Sequence, residues 1–513
     1  MEIMHKFIKL KAKSHQIRTI KSTEMNKLLI IILLATYSNA FSQDWPVKKL
    51  VMDKKSKGIA FADIPAFSFS RDILLPGSGI YQELNLNPAF TQQIVEQRPD
   101  AIKLSIPLSA TETIICELVR VELGNIKFTE NNDQSVQNVK IPVMYRGIIS
   151  GEQNKNNVML TVTEDYMSLN ATLKDNAMQL TKGKEQDPSL YKLYNRKKIQ
   201  FPVVPFDCGT KDKPFSVSPA AISLNKSPNR PDTATGSRCV NIYVDCFDSL
   251  YIWQASNYQQ TINFVYELFN AVATGYTNEQ INIQISNINV WTSPDPFRAD
   301  NRENALADLS AYHQDAFWGN ICVGLDYGTN GGGRSGLAGA IGKVKSMSPN
   351  TCAAYSVGSH EFCYTDLKYS VTVQNFPITP NTTGPQIYLV EHEIGHLLGA
   401  HHTKWCGWKL TSNPDTYGTL DSCGTIEGGC AQGPPPPVTG ATIMSYCVSG
   451  NNTNQFVNFN NGFGTLPGNA VRAFVNQAVC IPDCLACLAW INPGIKNTYA
   501  FLGNNKPFPK IKK

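Results

Sequence analysis

The chain has 513 residues, too many for one ordinary domain, and its 42% hydrophobic and 17% charged content argues against a wholly disordered protein. The formal charge of +5 is concentrated in residues 1–42, where Lys6, Lys9, Lys11, Lys13, Arg18, Lys21 and Lys27 face only Glu2 and Glu24. From Gly236 to Lys513 there are 15 basic and 18 acidic residues, a net of −3, which gives no electrostatic footprint for nucleic acid.

Residues 1–42 read as a signal or leader segment. Lys27 supplies a positive start, "LLIIILLA" an apolar run and "SNAFSQ" a small-residue cleavage region. The run is too short for a membrane span, so none is expected. Met25 stands just before it, so the 24 preceding residues are an extended leader or follow a mis-assigned start. Export implies a secreted, extracellular protein and makes disulfides the natural use of the 14 cysteines. Twelve lie from Cys239 onward, which allows six bridges there; Cys484 and Cys487 form a C-x-x-C whose alternatives are metal binding or electron transfer, and which near the tail of a secreted chain reads first as a structural bridge.

Residues 43–210 hold alternating runs such as "VQNVKIPVMYRGIISG" and "NVMLTVTEDYMSLNATL", whose period of two predicts antiparallel strands with one wet face. Residues 211–237 are rich in Pro, Ser and Thr and read as an exposed linker open to proteolysis. Beyond them strand and helix alternate. "CVNIYVDC" reads as strand, the spacing of Ile262, Val265, Tyr266, Phe269 and Val272 as helix, and "INIQISNI" as strand. A helix over Ala305–Phe317 and a buried strand in "NICVGLDYG" follow, so the fold class is α+β, a mixed twisted sheet with long helices packed on it.

"VEHEIGHLLGAHHTKWC" (390–406) gathers four of the eight histidines. His392 and His396, four apart, share one helix face and can share one zinc ion. Glu393 stands beside that metal and can take a proton from a water on it and pass it to a departing amine. Gly399 permits the turn that ends the helix, and His402 then reaches the same ion from another side. Three imidazoles leave a fourth position open, the arrangement of a catalytic site. His401 falls outside the pattern and reads as a residue near the ligands or on the surface.

The string H-E-x-x-H-x-x-G-x-x-H (392, 393, 396, 399, 402) resembles the signature of the metzincin metallopeptidases. The resemblance also requires a downstream Met-turn, which "GATIMSYC" supplies, and it implies that Met444 floors the zinc without binding it. With "CVNIYVDC" and "GRSGLAGAIG" upstream, the order is most like the reprolysin or ADAM-type group. That likeness implies an edge strand at Gly336, Leu337, Ala338 and Gly339 that binds an extended protein or peptide substrate.

Thr403, where reprolysins usually have Asp, looks more like the pappalysins. The Met444-Ser445-Tyr446 run resembles the Met-x-Tyr of serralysins and astacins, which makes Tyr446 a candidate fifth ligand or oxyanion donor, with a packed core tyrosine as the alternative. Across 238–480 the likeness describes a zinc-protease domain, and it turns the β-rich segment 43–210 into a propeptide. "VVPFDCGTKDKP" is then similar to a cysteine switch, with Cys208 filling the fourth zinc position; a Cys116–Cys208 disulfide competes.

The function expected is that of a secreted zinc endopeptidase made as a zymogen, with Glu393 activating water. A pappalysin-like peptidase and a non-catalytic binding or adhesion module on the same scaffold are the alternatives. Calcium is common in relatives, but no acidic loop names its ligands. The "GPPPPVTG" loop is expected to wall the substrate pocket, and residues 481–513 read as a tail.

Overall fold

The computed structural model describes residues 45–75, 79–173, 176–182, 187, 189–195, 206–210, 238–298, 300–314, 316–328, 334–344, 361–368, 384–412, 414–437, 439–447, 457–478 and 480–484. The expected signal segment, the whole of the linker, Cys487 and the end of the tail lie outside these residues. The chain divides between residues 45 and 46, and every described helix and strand belongs to the unit 46–513.

The first half opens with helix α1 (Pro46–Ser56), strands β1 (Ala62–Asp63), β2 (Phe67–Leu75) and β3 (Gly79–Leu86), and helix α2 (Pro88–Gln97). Strands β4 (Ala101–Pro107), β5 (Thr113–Val121), β6 (Lys127–Glu130), β7 (Gln134–Ser135), β8 (Val143–Ile149) and β9 (Asn157–Val162) follow. The half closes with β10 (Met167–Leu173), β11 (Asn176–Lys182), β12 (Leu190–Asn195) and β13 (Phe206–Cys208). Ten of these strands form one sheet in the order β1-β4-β5-β8-β9-β10-β11-β12-β3-β2, antiparallel except for β1 on β4. One face carries a core that includes Leu84, Phe90, Leu104, Leu118, Tyr145 and Leu160.

The second half runs β14 (Cys239–Cys246), α3 (Asp248–Trp253), α4 (Tyr258–Asn278), β15 (Asn282–Val290), α5 (Arg302–His313), β16 (Ile321–Asp326), β17 (Arg334–Ala338) and β18 (Phe362–Asp366). It continues with α6 (Gly384–Leu397), the hairpin β19 (Trp408–Ser412) and β20 (Asp415–Gly418), a 3-10 turn at Phe459–Asn461, and α7 (Thr465–Gln477). The second sheet is mixed, ordered β13-β17-β18-β16-β14-β15-β6-β7. Its central strands pair in parallel and β17 pairs antiparallel with β18. The α+β class and the mixed sheet thus agree with the sequence. Both edges of this sheet, however, come from the first half, through β6 and β7 on one side and β13 on the other.

Local chemistry explains the helix boundaries. Asn257 caps α4 by accepting from the Gln260 N–H at 3.0 Å, and Asn301 caps α5 by accepting from the Asn304 N–H at 2.7 Å. The helix expected over Ala305–Phe317 therefore starts three residues earlier, and it stops at His313 because Gln314 takes a positive φ of 45°. Strand β14 is buried along its whole length. Its one charge, Asp245, is fully satisfied, accepting from Asn289 Nδ2 at 2.7 Å and Trp291 Nε1 at 3.0 Å and lying 2.6 Å from His313 Nε2.

The expected wet face of the first sheet is corrected. Every residue of β8 and β9 is buried, because the polar side of the alternation lies against α4. Arg146 Nε donates to Asn270 Oδ1 at 3.0 Å, Ser168 Oγ to Glu267 Oε1 at 2.5 Å, and Asn157 Nδ2 to Asn460 Oδ1 at 2.9 Å. Period two reports polarity, and here the polar face meets polar protein instead of water. Burial pushes the Arg146 guanidinium down to about 9, a sign of how dry the contact is.

Among the described residues, disulfides join Cys239 to Cys484, Cys406 to Cys430 and Cys423 to Cys447. Cys246 and Cys363 are buried free thiols on β14 and β18, so the twelve later cysteines do not make six bridges. No described helix is long and apolar enough to cross a membrane.

Candidate metal centre

Helix α6 packs on α4, β17 and β18, with Leu389, Val390, Ile394 and Leu397 buried. Its period of 3.6 brings His392 and His396 onto one side. The helix ends where Gly399, at φ +98°, donates its N–H to His396 O at 2.9 Å. That left-handed turn returns the chain so that His402 faces the first two histidines. All three are fully buried.

Each imidazole is oriented from behind. His392 Nδ1 lies 2.8 Å from Ile443 O, His396 Nδ1 2.8 Å from Ala400 O, and His402 Nδ1 3.0 Å from both oxygens of Glu427. Carbonyls and a carboxylate only accept, so the Nδ1 atoms carry the protons and the Nε2 lone pairs face inward. These lone pairs converge, with His396 Nε2 at 3.2 Å from His392 Nε2 and 3.0 Å from His402 Nε2. Burial, then its two neighbours, push His392 well below the ordinary imidazole range. Three neutral lone pairs at that spacing repel unless a cation sits among them, so the donor set fits zinc.

Cys208 completes the cluster. Its Sγ is 3.6 Å from His396 Nε2, and the four donor atoms all lie within 4.8 Å of one another. Burial, then the Glu393 carboxylate, push this thiol up to about 11, so it is neutral unless a cation stabilises the thiolate. Cys116 is a free thiol in the core of the first sheet, so the competing Cys116–Cys208 bridge is not formed. The other group of potential metal donors, Asp421 with Cys423 and Cys447, has both sulfurs in a disulfide and retains one carboxylate.

Glu393 faces the strand side of the cluster. Its Oε2 accepts from Cys208 Sγ at 3.5 Å and Thr210 Oγ1 at 3.3 Å, while Oε1 has no partner among the described residues. Burial pushes its carboxyl up to about 7, moderated chiefly by the Cys208 hydrogen bond. Gly336 of β17 lies against this carboxylate, and a Cβ there would stand 2.1 Å from Glu393 Oε1. Gly336→Ala is therefore expected to displace the carboxylate and to lower any peptide hydrolysis that depends on it on the order of 10²-fold, the cost of about 1 Å of misplacement. Peptide hydrolysis measured beside thermal melting separates this from loss of fold.

Gly336, Leu337 and Ala338 lie on β17, and the Gly339 N–H donates to Phe362 O at 2.8 Å. The outer edge of β17 is taken by β13, which runs parallel to it. The Gly209 N–H donates to Gly336 O at 2.8 Å, and the Ala338 N–H to Thr210 Oγ1 at 2.8 Å.

Met444 is fully buried, and its Sδ lies 3.1 Å from where a Cβ on Gly395 of α6 would stand. Tyr446 lies beside the cluster. The OH donates to Cys208 O at 2.9 Å, with its ring 5.0 Å from that of His402. Thr403 ties the third histidine to the Met-turn through its N–H to Met444 O at 3.1 Å. His401 stacks on Trp405 at 3.7 Å, outside the donor cluster.

The motif did not reveal Thr210, Glu427, Lys404 or Trp408. Lys404 Nζ lies 3.2 Å from Glu427 Oε1 and 3.3 Å from the Tyr446 ring centroid, and Trp408 Nε1 donates to His402 O at 2.8 Å. Thr210 had a local signal, two residues beyond Cys208. Glu427 had none, being 25 residues beyond His402.

Residues 236–457 match the family model Reprolysin_5, described as metallo-peptidase family M12. No curated protein matches the chain in sequence. A solved structure titled "Structure of a chaperone-substrate complex" is similar at 13% identity, with a TM-score of 0.27, over 47% of this chain and 35% of that one. The chain thus spans about a third of that protein's length, and so slight a likeness carries no argument about fold or function. The metalloprotease motif, the Met-turn and the family match fall on the same segment, and residues 236–457 are accordingly a reprolysin-type metzincin of metallopeptidase family M12.

Proposed function

We propose that the protein is a secreted zinc endopeptidase made as a latent zymogen, in which residues 43–210 are the propeptide, 211–237 the activation linker and 238–480 the protease. The observation that carries this reading is the convergence of His392, His396 and His402 Nε2 with Cys208 Sγ beside the carboxylate of Glu393. His392, His396 and His402 would hold the zinc, with Cys208 as fourth donor in the intact chain. When bound, zinc polarises a scissile carbonyl and acidifies water.

Glu393 takes a water proton on its carboxylate and delivers it to the amine of the leaving fragment. The edge of β17 holds the substrate backbone as an added strand, using the Gly336 O and Ala338 N–H that now bind Gly209 and Thr210. Met444 supports α6 at Gly395 beneath the histidines.

Latency follows from overlap. Cys208 occupies the fourth donor position, Thr210 occupies Glu393, β13 occupies the substrate edge, and Cys208 O occupies the Tyr446 hydroxyl. Once this segment leaves, Tyr446 can donate to the carbonyl oxygen of a substrate. The three disulfides among the described residues suit the oxidising compartment that export provides.

Chelation is expected to abolish hydrolysis by the linker-cleaved protein, and one equivalent of zinc to restore it. Cleavage that persists in chelator, with metal analysis showing no zinc, would overturn the reading.

A further inference from the structure

We infer that Glu427 is a positioning residue whose carboxylate, opposed by Lys404, sets how tightly the third histidine holds the metal. This rests on the zinc reading above.

The three imidazoles are not supported alike. His392 and His396 face neutral carbonyls, whereas His402 faces both oxygens of a carboxylate at 3.0 Å. A charged acceptor binds the Nδ1 proton more strongly and makes Nε2 a better donor to a cation.

The carboxylate is held in place through its own backbone. The Glu427 N–H donates to Lys404 O at 3.0 Å, Glu427 O accepts from the Cys406 N–H at 3.1 Å, and the Cys406–Cys430 disulfide closes the loop around these bonds. Trp408 fixes the other side of His402 through its carbonyl.

Lys404 works against Glu427. Its Nζ shares the Glu427 Oε1 atom at 3.2 Å and drains charge that His402 would otherwise feel, and as a nearby cation it also repels a metal ion. The two residues therefore influence zinc with opposite signs. A role confined to packing gives no such opposition, because removing either partner would loosen the loop.

The test is transfer of zinc from the full chain to a chromogenic chelator, with thermal melting as a check of fold. Glu427→Ala is expected to weaken zinc retention about 10–100-fold. Glu427→Gln, which keeps an acceptor and loses the charge, should fall between that and wild type. Lys404→Met should hold zinc as tightly as wild type or more so. Wild-type retention in the Glu427→Ala variant would overturn the inference, as would a Lys404→Met variant that loses zinc as readily as Glu427→Ala. A wild-type chain that takes up no zinc would instead sink the metallopeptidase reading beneath it.

Discussion

Replacing Glu393 with Ala in the linker-cleaved protein is expected to lower kcat/KM toward a peptide by about 10²–10⁴-fold, the usual worth of a positioned proton-transfer group, while zinc stays bound. The carboxylate is not among the four donor atoms of the cluster, so its removal leaves the ligand set whole. It touches instead the two groups that overlie the cluster, Cys208 and Thr210. In the intact chain, stability should hold or rise, because there a fully buried carboxyl with an oxygen unpartnered among the described residues costs free energy in the folded state. Zinc content, melting and hydrolysis of one fluorogenic peptide together check this. If the variant binds zinc, folds and cleaves like wild type, Glu393 has no part in the chemistry.

Cys208→Ala is expected to give an intact chain that cleaves a small peptide where the intact wild type does not. The thiol is the one atom from the first half of the chain among the four donor atoms of the cluster, so on the proposed reading deleting it opens that position to water. Activation should remain partial. The backbone of β13 still pairs with β17, Thr210 still donates to Glu393, and Tyr446 still binds the carbonyl of residue 208. Adding Thr210→Ala should raise the activity further, and linker cleavage should bring all three proteins to one rate. An intact Cys208→Ala chain as silent as wild type, with cleaved forms equally active, would show that the edge strand alone imposes latency.

The donor set could be read from the sequence because it is local. Two histidines four apart are determined by helical periodicity, Gly399 by its left-handed turn, and His402 by the short reach beyond it. Cys208 depends on chain connections that no spacing encodes; its Cys-Gly context made it a candidate, and the thiol lies among the imidazoles. Glu427 stayed hidden because a disulfide-closed loop carries no period, and Lys404 because nothing local pairs it with Glu427. Tyr446 was legible as a residue near the site but not as a partner of the Cys208 carbonyl.

The strands of the first half were equally legible, and their surroundings were not. Asn157, Ser168 and Arg146 alternate with apolar neighbours as they would on a solvated sheet, and only the placement of α4 and of the turn at Phe459–Asn461 buries them. The edge strands β6 and β13 show the same limit, since their partners are about 160 and 128 residues away.

Zinc K-edge X-ray absorption of the intact chain, repeated after linker cleavage, is the most direct test that these residues form a latent catalytic site. The expected intact spectrum has one sulfur at about 2.3 Å and three imidazole nitrogens at about 2.0–2.1 Å, with the sulfur lost on cleavage as activity appears. A metal shell without sulfur in the intact chain, or one rich in sulfur that cleavage leaves unchanged, would contradict it.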